Sequence, residues 1–186
     1  TAKPNDVLVL TKPLGAGILN TALKGGVVTQ ESEEYEEAIR CMGLLNKTAA
    51  EQLDGLTVHA ATDITGFGLL GHAYEMAEGA RVSMTIDASA VPVLKKAKEY
   101  AGMGLVPAGA YANRKYAGQG IVADGVSDQT MDLLYDPQTS GGLLISLPAA
   151  DAKEYVERMK EEVFPAVIIG QVTGDQASEI LVQGEI

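Results

Sequence analysis

Cysteine and basic residues are scarce in this sequence of 186 residues. The single cysteine, Cys41, excludes an internal disulfide and a multi-cysteine metal site. Lysine and arginine total 14 against 25 aspartates and glutamates, which gives a formal net charge of −11. Because affinity for nucleic acid comes mainly from basic side chains that neutralise phosphates, this charge argues against a nucleic-acid partner.

Long apolar runs are also missing. No stretch of about 18 uncharged apolar residues occurs, and the first residues lack the basic-then-apolar order of a signal peptide. We therefore expect a cytoplasmic protein with no membrane partner. The length and the apolar content of 46% fit one domain around a single core. Because the sequence opens at Thr1, without a methionine and directly before a strand-like run, we expect a piece of a longer chain or a processed product.

Strand and helix patterns alternate along the chain. Residues 6–11 contain the continuous apolar run Val7–Leu10, which is typical of a strand covered on both faces. Further strands are predicted over 57–61, 81–86, 142–147, 166–172 and 179–182, and helices over 13–25, 32–46, 66–78, 93–101 and 148–161. Residues 102–125 are glycine-rich and predict surface loops that can hold a short helix near 110–116. The alternation predicts a single α/β domain with a mixed sheet.

The helix predicted over 32–46 has a clear start. Ser32 can cap it, and the acidic first turn suits the positive end of a helix. Apolar residues recur at three- and four-residue steps and predict a core-facing stripe: Tyr35, Ala38, Ile39, Met42 and Leu45. Cys41 lies beside this stripe. We interpret it as a small buried thiol, because no histidine lies near it in the sequence.

The segment around Asp63 carries the chemistry that the sequence indicates most clearly. Asp63 follows a predicted strand, and its carboxylate could bind a hard cation. Thr65, Gly66 and Gly68 then open a helix, where backbone N–H groups could bind phosphate. The alternative is structural: Asp63 caps the helix, and the glycines allow it to pack closely on the sheet. The residues alone leave both interpretations open.

Two further polar groups give weaker signals. His72 and Glu75 lie one helical turn apart, but no third ligand with suitable spacing is apparent, so a hydrogen-bonded or packed histidine is favoured over a metal site. His59, in a predicted strand, indicates still less. The loop that begins at Asp136 and ends at Gly142 predicts either a plain turn before a strand or a loop packed on a ligand-bearing partner domain.

Three segments together resemble a known family. They read Leu-Thr-Lys-Pro-Leu-Gly at 10–15, Ala-Thr-Asp-Ile-Thr-Gly-Phe-Gly-Leu-Leu-Gly-His at 61–72 and Asp-Pro-Gln-Thr-Ser-Gly-Gly-Leu-Leu at 136–144. In this order they resemble the C-terminal domain of the selenophosphate synthetases, also called selenide, water dikinases. Aminoimidazole ribonucleotide synthetase shares that domain. The second segment favours the selenium enzymes, whereas the third is a theme of the whole superfamily.

The resemblance implies a three-layer α/β/α fold with a mixed sheet, in which residues 1–186 form one C-terminal synthetase domain. It implies that an absent N-terminal domain carries most of the ATP site and the reactive cysteine or selenocysteine, which Cys41 does not match. The parent reaction would convert selenide, ATP and water to selenophosphate, AMP and phosphate. The resemblance assigns Asp63 as a Mg²⁺ ligand, assigns no catalytic residue to this chain, and implies a homodimeric parent enzyme and an inactive isolated chain.

Two other functions stay open at this point. The chain could be a stand-alone ligand-binding or regulatory module that kept the fold and lost the reaction. It could also belong to another superfamily enzyme, such as aminoimidazole ribonucleotide synthetase. The phenylalanine-bearing glycine segment at 65–72 argues against the second alternative.

Overall fold

The computed structural model describes residues 1–174 and 177–186. Strands β1–β7 span Asp6–Leu10, Ala60–Asp63, Ser83–Asp87, Ile121–Asp124, Leu143–Pro148, Val167–Thr173 and Ile180–Gln183. Helices α1–α8 span Ala16–Lys24, Glu33–Gly43, Lys47–Glu51, Gly68–Ala80, Ala97–Gly102, Ala108–Ala117, Asp128–Leu134 and Ala149–Arg158. Short 3₁₀ turns cover Ala88–Ala90 and Gly118–Gly120. None of the helices in this part of the chain has the length and apolar character that a membrane crossing requires.

The strands form one mixed sheet in the order β2-β5-β1-β6-β3-β7-β4. Strand β5 pairs antiparallel with both β1 and β2, and β6 pairs antiparallel with both β1 and β3. Strand β7 pairs parallel with β3 and β4. The predicted α/β class with a mixed sheet is confirmed.

Strand β1 lies within the sheet, and its residues alternate between two cores. Leu8 and Leu10 are fully buried in a core with α4, α6 and α7, whereas Val9 is fully buried in a core with α3 and α8 on the opposite face. Period-two alternation of side chains produces this division. The continuous apolar run therefore indicated correctly that helices cover both faces here. A third core joins α1, α2 and α5 beside the sheet.

Helix α2 starts as predicted, and Tyr35, Ala38 and Met42 of the predicted stripe pack in the core, but the buried face is shifted from that stripe. The Ser32 hydroxyl accepts a hydrogen bond from the Tyr35 amide at 3.4 Å, which confirms the cap. The helix ends at Gly43, and two residues of the predicted stripe are exposed: Ile39 by 47% and Leu45 by 74%. That part of the prediction is wrong.

The buried face of α2 consists of Glu34, Ala38 and Cys41. The spacing of these residues also places them on one side of a helix. Of these three residues, sequence patterning missed Glu34, because it is charged. Its carboxylate accepts a 2.6 Å hydrogen bond from the Tyr100 hydroxyl, which makes its burial tolerable.

Several elements differ from the sequence pattern. The predicted strand 57–61 lies at Ala60–Asp63, because β5 fixes the register by pairing Ala60 with Ser146 and Asp63 with Leu143. The short helix predicted near 110–116 is confirmed as α6, whereas the edge strand β4 lies where residues 102–125 were predicted as loops. Helices α3 and α7 are short and were not predicted. The other predicted strands and helices occur with shifted ends.

Candidate functional site

The three segments that the sequence singled out meet at one end of the sheet. Because β5 runs antiparallel to both β1 and β2, the carboxyl ends of β1 and β2 lie beside the start of β5. The register pairs Leu10 with Leu144 and Asp63 with Leu143. We call the connected loops, residues 11–17, 63–68 and 136–142, the loop junction. Ends of neighbouring strands are where open α/β sheets bind ligands.

Asp63 is the last residue of β2, and its side chain is exposed at the loop junction. It does not cap α4: the cap position is Phe67, and no side chain accepts a capping hydrogen bond there. The helix-capping interpretation of Asp63 is therefore wrong. A carboxylate oxygen in this position is the type of ligand that Mg²⁺ prefers.

Asp63 alone does not make a metal site. Within residues 1–174 and 177–186, no group of three or more histidine, cysteine, aspartate or glutamate side chains could hold a metal ion. Mg²⁺ keeps an octahedral shell and uses one or two protein carboxylates together with waters and substrate phosphates. The donor chemistry of this chain therefore fits a single contribution to a magnesium site that phosphates or other carboxylates complete.

The turn after Asp63 is fixed by backbone contacts. The Thr65 carbonyl accepts hydrogen bonds from the amides of Gly68 at 3.1 Å and Gln138 at 2.9 Å. Gly68 has φ +69°, and a Cβ atom there would lie 2.7 Å from the Tyr135 carbonyl. The Gly68 amide therefore already has an acceptor within the chain. Gly66 is exposed, with open space where a side chain would be, and its carbonyl accepts from Asn113 Nδ2 at 2.8 Å.

Both histidines are held by hydrogen bonds. The buried His72 places Nε2 3.1 Å from the Thr65 hydroxyl and Nδ1 3.1 Å from a Glu75 carboxylate oxygen. The favoured interpretation of a packed, hydrogen-bonded histidine is confirmed. His59 contacts the buried Asp6 carboxylate at 2.8 Å, and that carboxylate also accepts from the Ser146 hydroxyl.

The loop that begins at Asp136 holds the N-terminus of α1. The buried Asp136 carboxylate accepts from the Gly17 amide and from Gln138 Nε2, each at 2.9 Å, through the same oxygen Oδ2. Gln138 Oε1 accepts from the Ala16 amide at 3.2 Å. Burial raises the pKa of Asp136 to about 7, although these hydrogen bonds act in the opposite direction. The loop is thus more than a plain turn before β5.

Glycines allow the segments of the loop junction to approach one another closely. A Cβ atom on Gly141 would overlap the Ile64 carbonyl, and one on Gly142 would lie 2.6 Å from the backbone nitrogen of Lys12. In that space the Ile64 amide donates to the Gly142 carbonyl at 2.8 Å. The Thr11 hydroxyl accepts from the Leu143 amide, also at 2.8 Å. The Gly-Gly pair therefore permits three chain segments to pack backbone to backbone.

Sequence reasoning missed Lys12 as a member of this site. Its side chain is buried, and Nζ donates to the carbonyls of Leu44 at 2.6 Å, Ser140 at 2.8 Å and Cys41 at 3.1 Å. Burial lowers the pKa of Lys12. Its partners lie about 30 and 128 residues away in the sequence, so no local pattern could have revealed them.

Cys41 lies next to this lysine, in α2. The thiol is buried, and burial raises its pKa to about 11. A thiol with such a pKa is almost entirely protonated near neutral pH and is a poor nucleophile. The structure agrees with the interpretation of Cys41 as a small buried group.

The sequence of this chain matches that of a known domain family. Residues 3–183 match the family described as AIR synthase related protein, C-terminal domain. Selenide, water dikinase 2 of Peptoclostridium acidaminophilum is 45% identical over 97% of this chain, which covers 52% of that protein. Selenide, water dikinase of Caldanaerobacter subterraneus is 47% identical over 98% of this chain and 53% of that protein. The chain spans about half the length of these relatives.

Solved structures with the same fold have much lower identity. A hydrogenase maturation protein HypE in complex with ATP has a TM-score of 0.66 at 17% identity, over 98% of this chain and 48% of its own. Thiamine-monophosphate kinase from Stenotrophomonas maltophilia has a TM-score of 0.63 at 20% identity, over 99% of this chain and 52% of its own. These similarities establish the fold.

Proposed function

The chain belongs to the AIR synthase related protein family, C-terminal domain, and we propose from this membership that it is the C-terminal domain of a longer selenide, water dikinase. That enzyme would use ATP and water to convert selenide to selenophosphate, with release of AMP and phosphate. Relatives that carry this name share 45–47% of the residues over nearly the whole chain, which supports the proposal. Their greater length supports an additional domain in the complete protein.

The observation that carries the proposed role of this domain is the position of Asp63. Its exposed carboxylate lies at the end of β2, beside loops joined by backbone hydrogen bonds. Because Asp63 alone does not complete a metal site, its position fits a domain that closes on a nucleotide bound by another part of the protein. We propose that the N-terminal half of the protein binds most of the ATP, and that Asp63 adds one ligand to Mg²⁺.

The role proposed for Asp63 is electrostatic. Bound Mg²⁺ neutralises charge on the transferring phosphates, and phosphoryl transfer depends mostly on positioning and charge neutralisation. Asp63 would hold its oxygen toward the phosphates while the surrounding turns prevent that strand end from moving. We propose that Thr65 and the exposed Gly66 line the nucleotide at the same edge of the sheet. Gly68 does not fit the predicted phosphate-binding role, because it is buried and its amide donates to the Thr65 carbonyl.

The reacting groups would lie in the N-terminal half of the complete protein. Cys41 is buried and its pKa is raised to about 11, so this chain offers no activated thiol there. We further propose that the complete enzyme is a cytoplasmic homodimer and that the isolated chain is inactive.

The test is a reaction with defined products. A protein that joins this chain to the N-terminal half of a close relative is incubated with Mg²⁺, ATP and selenide, and phosphorus NMR follows the products. We expect AMP, phosphate and a selenium-bonded phosphate, all dependent on selenide, and none with this chain alone. Nucleotide binding without selenide-dependent AMP would contradict the proposal and favour a binding or regulatory module. AMP-free conversion of ATP to ADP would favour another superfamily enzyme.

A further inference from the structure

We propose that Lys12 is a positioning residue: its buried ammonium holds the turn at 140–142 in place and, through that turn, fixes Asp63. This inference rests on the proposed function of Asp63.

The ammonium of Lys12 connects two separate parts of the chain. Two of its acceptors, the carbonyls of Cys41 and Leu44, belong to the C-terminal end of α2, and the third is the Ser140 carbonyl in the loop before β5. An ammonium has three N–H donors, and all three are used at 2.6–3.1 Å. Lys12 therefore has no donor left for a ligand, and its role must be indirect.

The electrostatics of the contact favour a fixed geometry. The carbonyls at the C-terminal end of a helix carry partial negative charge, so the end of α2 stabilises a cation. Among the described residues, the hydrogen bonds of Lys12 go to carbonyls rather than to a carboxylate. If the cation were removed, the buried Cys41 carbonyl and the partly buried carbonyls of Leu44 and Ser140 would lose this donor. A carbonyl removed from water without a partner is costly.

Hydrogen bonds lead from the lysine to Asp63. Ser140 is followed by Gly141 and Gly142, and the Gly142 carbonyl accepts from the amide of Ile64, the residue next to Asp63. A side chain on Gly141 would overlap the Ile64 carbonyl, which shows how closely the two segments pack. Asn46 supports the same turn by donating to the Gly141 carbonyl at 2.9 Å. A shift of the turn would therefore shift the end of β2.

The first experiment measures how well the turn at 140–142 protects the Ile64 amide, and it requires neither metal nor enzyme activity. Amide hydrogen exchange is compared in this chain between Lys12→Met and Lys47→Met. Lys47 is a matched control because its side chain is 73% exposed and, within residues 1–174 and 177–186, forms an ion pair with Glu51 on its own helix alone. We expect at least about tenfold faster exchange at Ile64 in Lys12→Met and no change in the control. The amide of Met84, bonded to the Glu179 carbonyl in another part of the sheet, should keep its protection.

Unchanged protection at Ile64 in a folded Lys12→Met chain would overturn the inference. If Lys12→Met does not fold, Lys12→Arg replaces it, because arginine keeps the charge but places its donors differently. Faster exchange at Ile64 with Met84 unaffected would support the inference in that variant, and equal protection would overturn it.

The second experiment uses the complete enzyme and the Mg²⁺ concentration that gives half-maximal turnover. We expect Lys12→Met to raise that concentration at least about tenfold, as loss of groups that orient metal ligands does. In an Asp63→Asn background, Lys12→Met should add less than about twofold, because both changes act through one residue. A normal Mg²⁺ requirement in Lys12→Met, with Asp63→Asn impaired, would overturn the positioning role alone. A normal Asp63→Asn enzyme would instead overturn the proposed function.

Discussion

The Asp136 carboxylate accepts a hydrogen bond from the Gly17 amide at 2.9 Å, although 119 residues separate the two in sequence. Gly17 belongs to the first turn of α1, where backbone N–H groups have no partner within the helix. Asp136 therefore caps this helix from a distant loop. The other carboxylate oxygen, Oδ1, is buried and has no hydrogen-bond partner among the described residues. A proton on the carboxyl group would remove the buried charge.

Asp136 predicts a pH dependence of stability. Burial raises its pKa from 3.8 to about 7, so the folded chain binds this proton more tightly than the unfolded chain. The stabilisation is fully present below about pH 4 and is lost as pH rises through about 7. Between pH 5 and pH 8 we expect this loss to lower the free energy of unfolding by roughly 3 kcal/mol, since each tenfold in proton affinity is about 1.4 kcal/mol and the folded-state pKa lies about two pH units above pH 5. Urea unfolding at pH 5 and pH 8 measures this.

The matched variant is Asp136→Asn, which keeps an acceptor for the Gly17 amide and cannot titrate. Other groups titrate equally in both proteins, so the difference between them isolates Asp136. We expect the variant to lose less stability than the native chain between pH 5 and pH 8. Equal losses in the two proteins would show that the carboxyl group has an ordinary pKa.

We expect a side chain at Gly141 to destabilise the fold far more than one at an uncrowded glycine. In Gly141→Ala the new methyl group would overlap the Ile64 carbonyl, a backbone atom that cannot rotate away. We expect a loss of about 3 kcal/mol in the free energy of unfolding. Gly79→Ala in α4 is the control, because nothing lies within 4 Å of its Cβ position. There alanine should be neutral or stabilise by up to about 1 kcal/mol. Similar effects at both positions would contradict the close packing.

We expect the Cys41 thiol to react slowly with alkylating reagents. Its thiol is buried and its pKa is about 11, so thiolate is rare at pH 8. We expect iodoacetamide to alkylate the native chain far more slowly than the urea-unfolded chain. Cys41→Ser should cost about 1 kcal/mol and leave activity of the complete enzyme nearly unchanged. Alkylation of the native chain at the unfolded rate, with loss of activity, would refute this.

Local patterns predicted those parts of the fold that local physics determines. The apolar run of β1, the Ser32 cap and the alternation of strands with helices were readable because each depends on neighbouring residues. The exposed Leu45 and the buried Glu34 were not, since the face of α2 that packs is chosen by Tyr100 and other distant partners. Short helices such as α3 and α7 contain too few turns to show a period.

The site residues likewise include some that the sequence predicts and others that it does not. Asp63 at a strand end, followed by a glycine turn, was visible in the sequence. The positions of Lys12 and Asp136 depend on hydrogen bonds to residues more than a hundred positions away, and no spacing rule connects them. The pairing of β1, β2 and β5 brings these distant segments together.

The central claim is that Asp63 contributes charge to the magnesium site of a selenide-dependent enzyme. The most direct measurement is selenide-dependent AMP formation by the complete protein with Asp63→Asn, alongside its thermal unfolding. Asp63 is exposed and does not cap α4, so stability should stay unchanged. Turnover should fall at least about a hundredfold, equivalent to roughly 2.7 kcal/mol, with partial rescue by raised Mg²⁺ or by Mn²⁺. Near-normal turnover by a stably folded Asp63→Asn protein would contradict the claim.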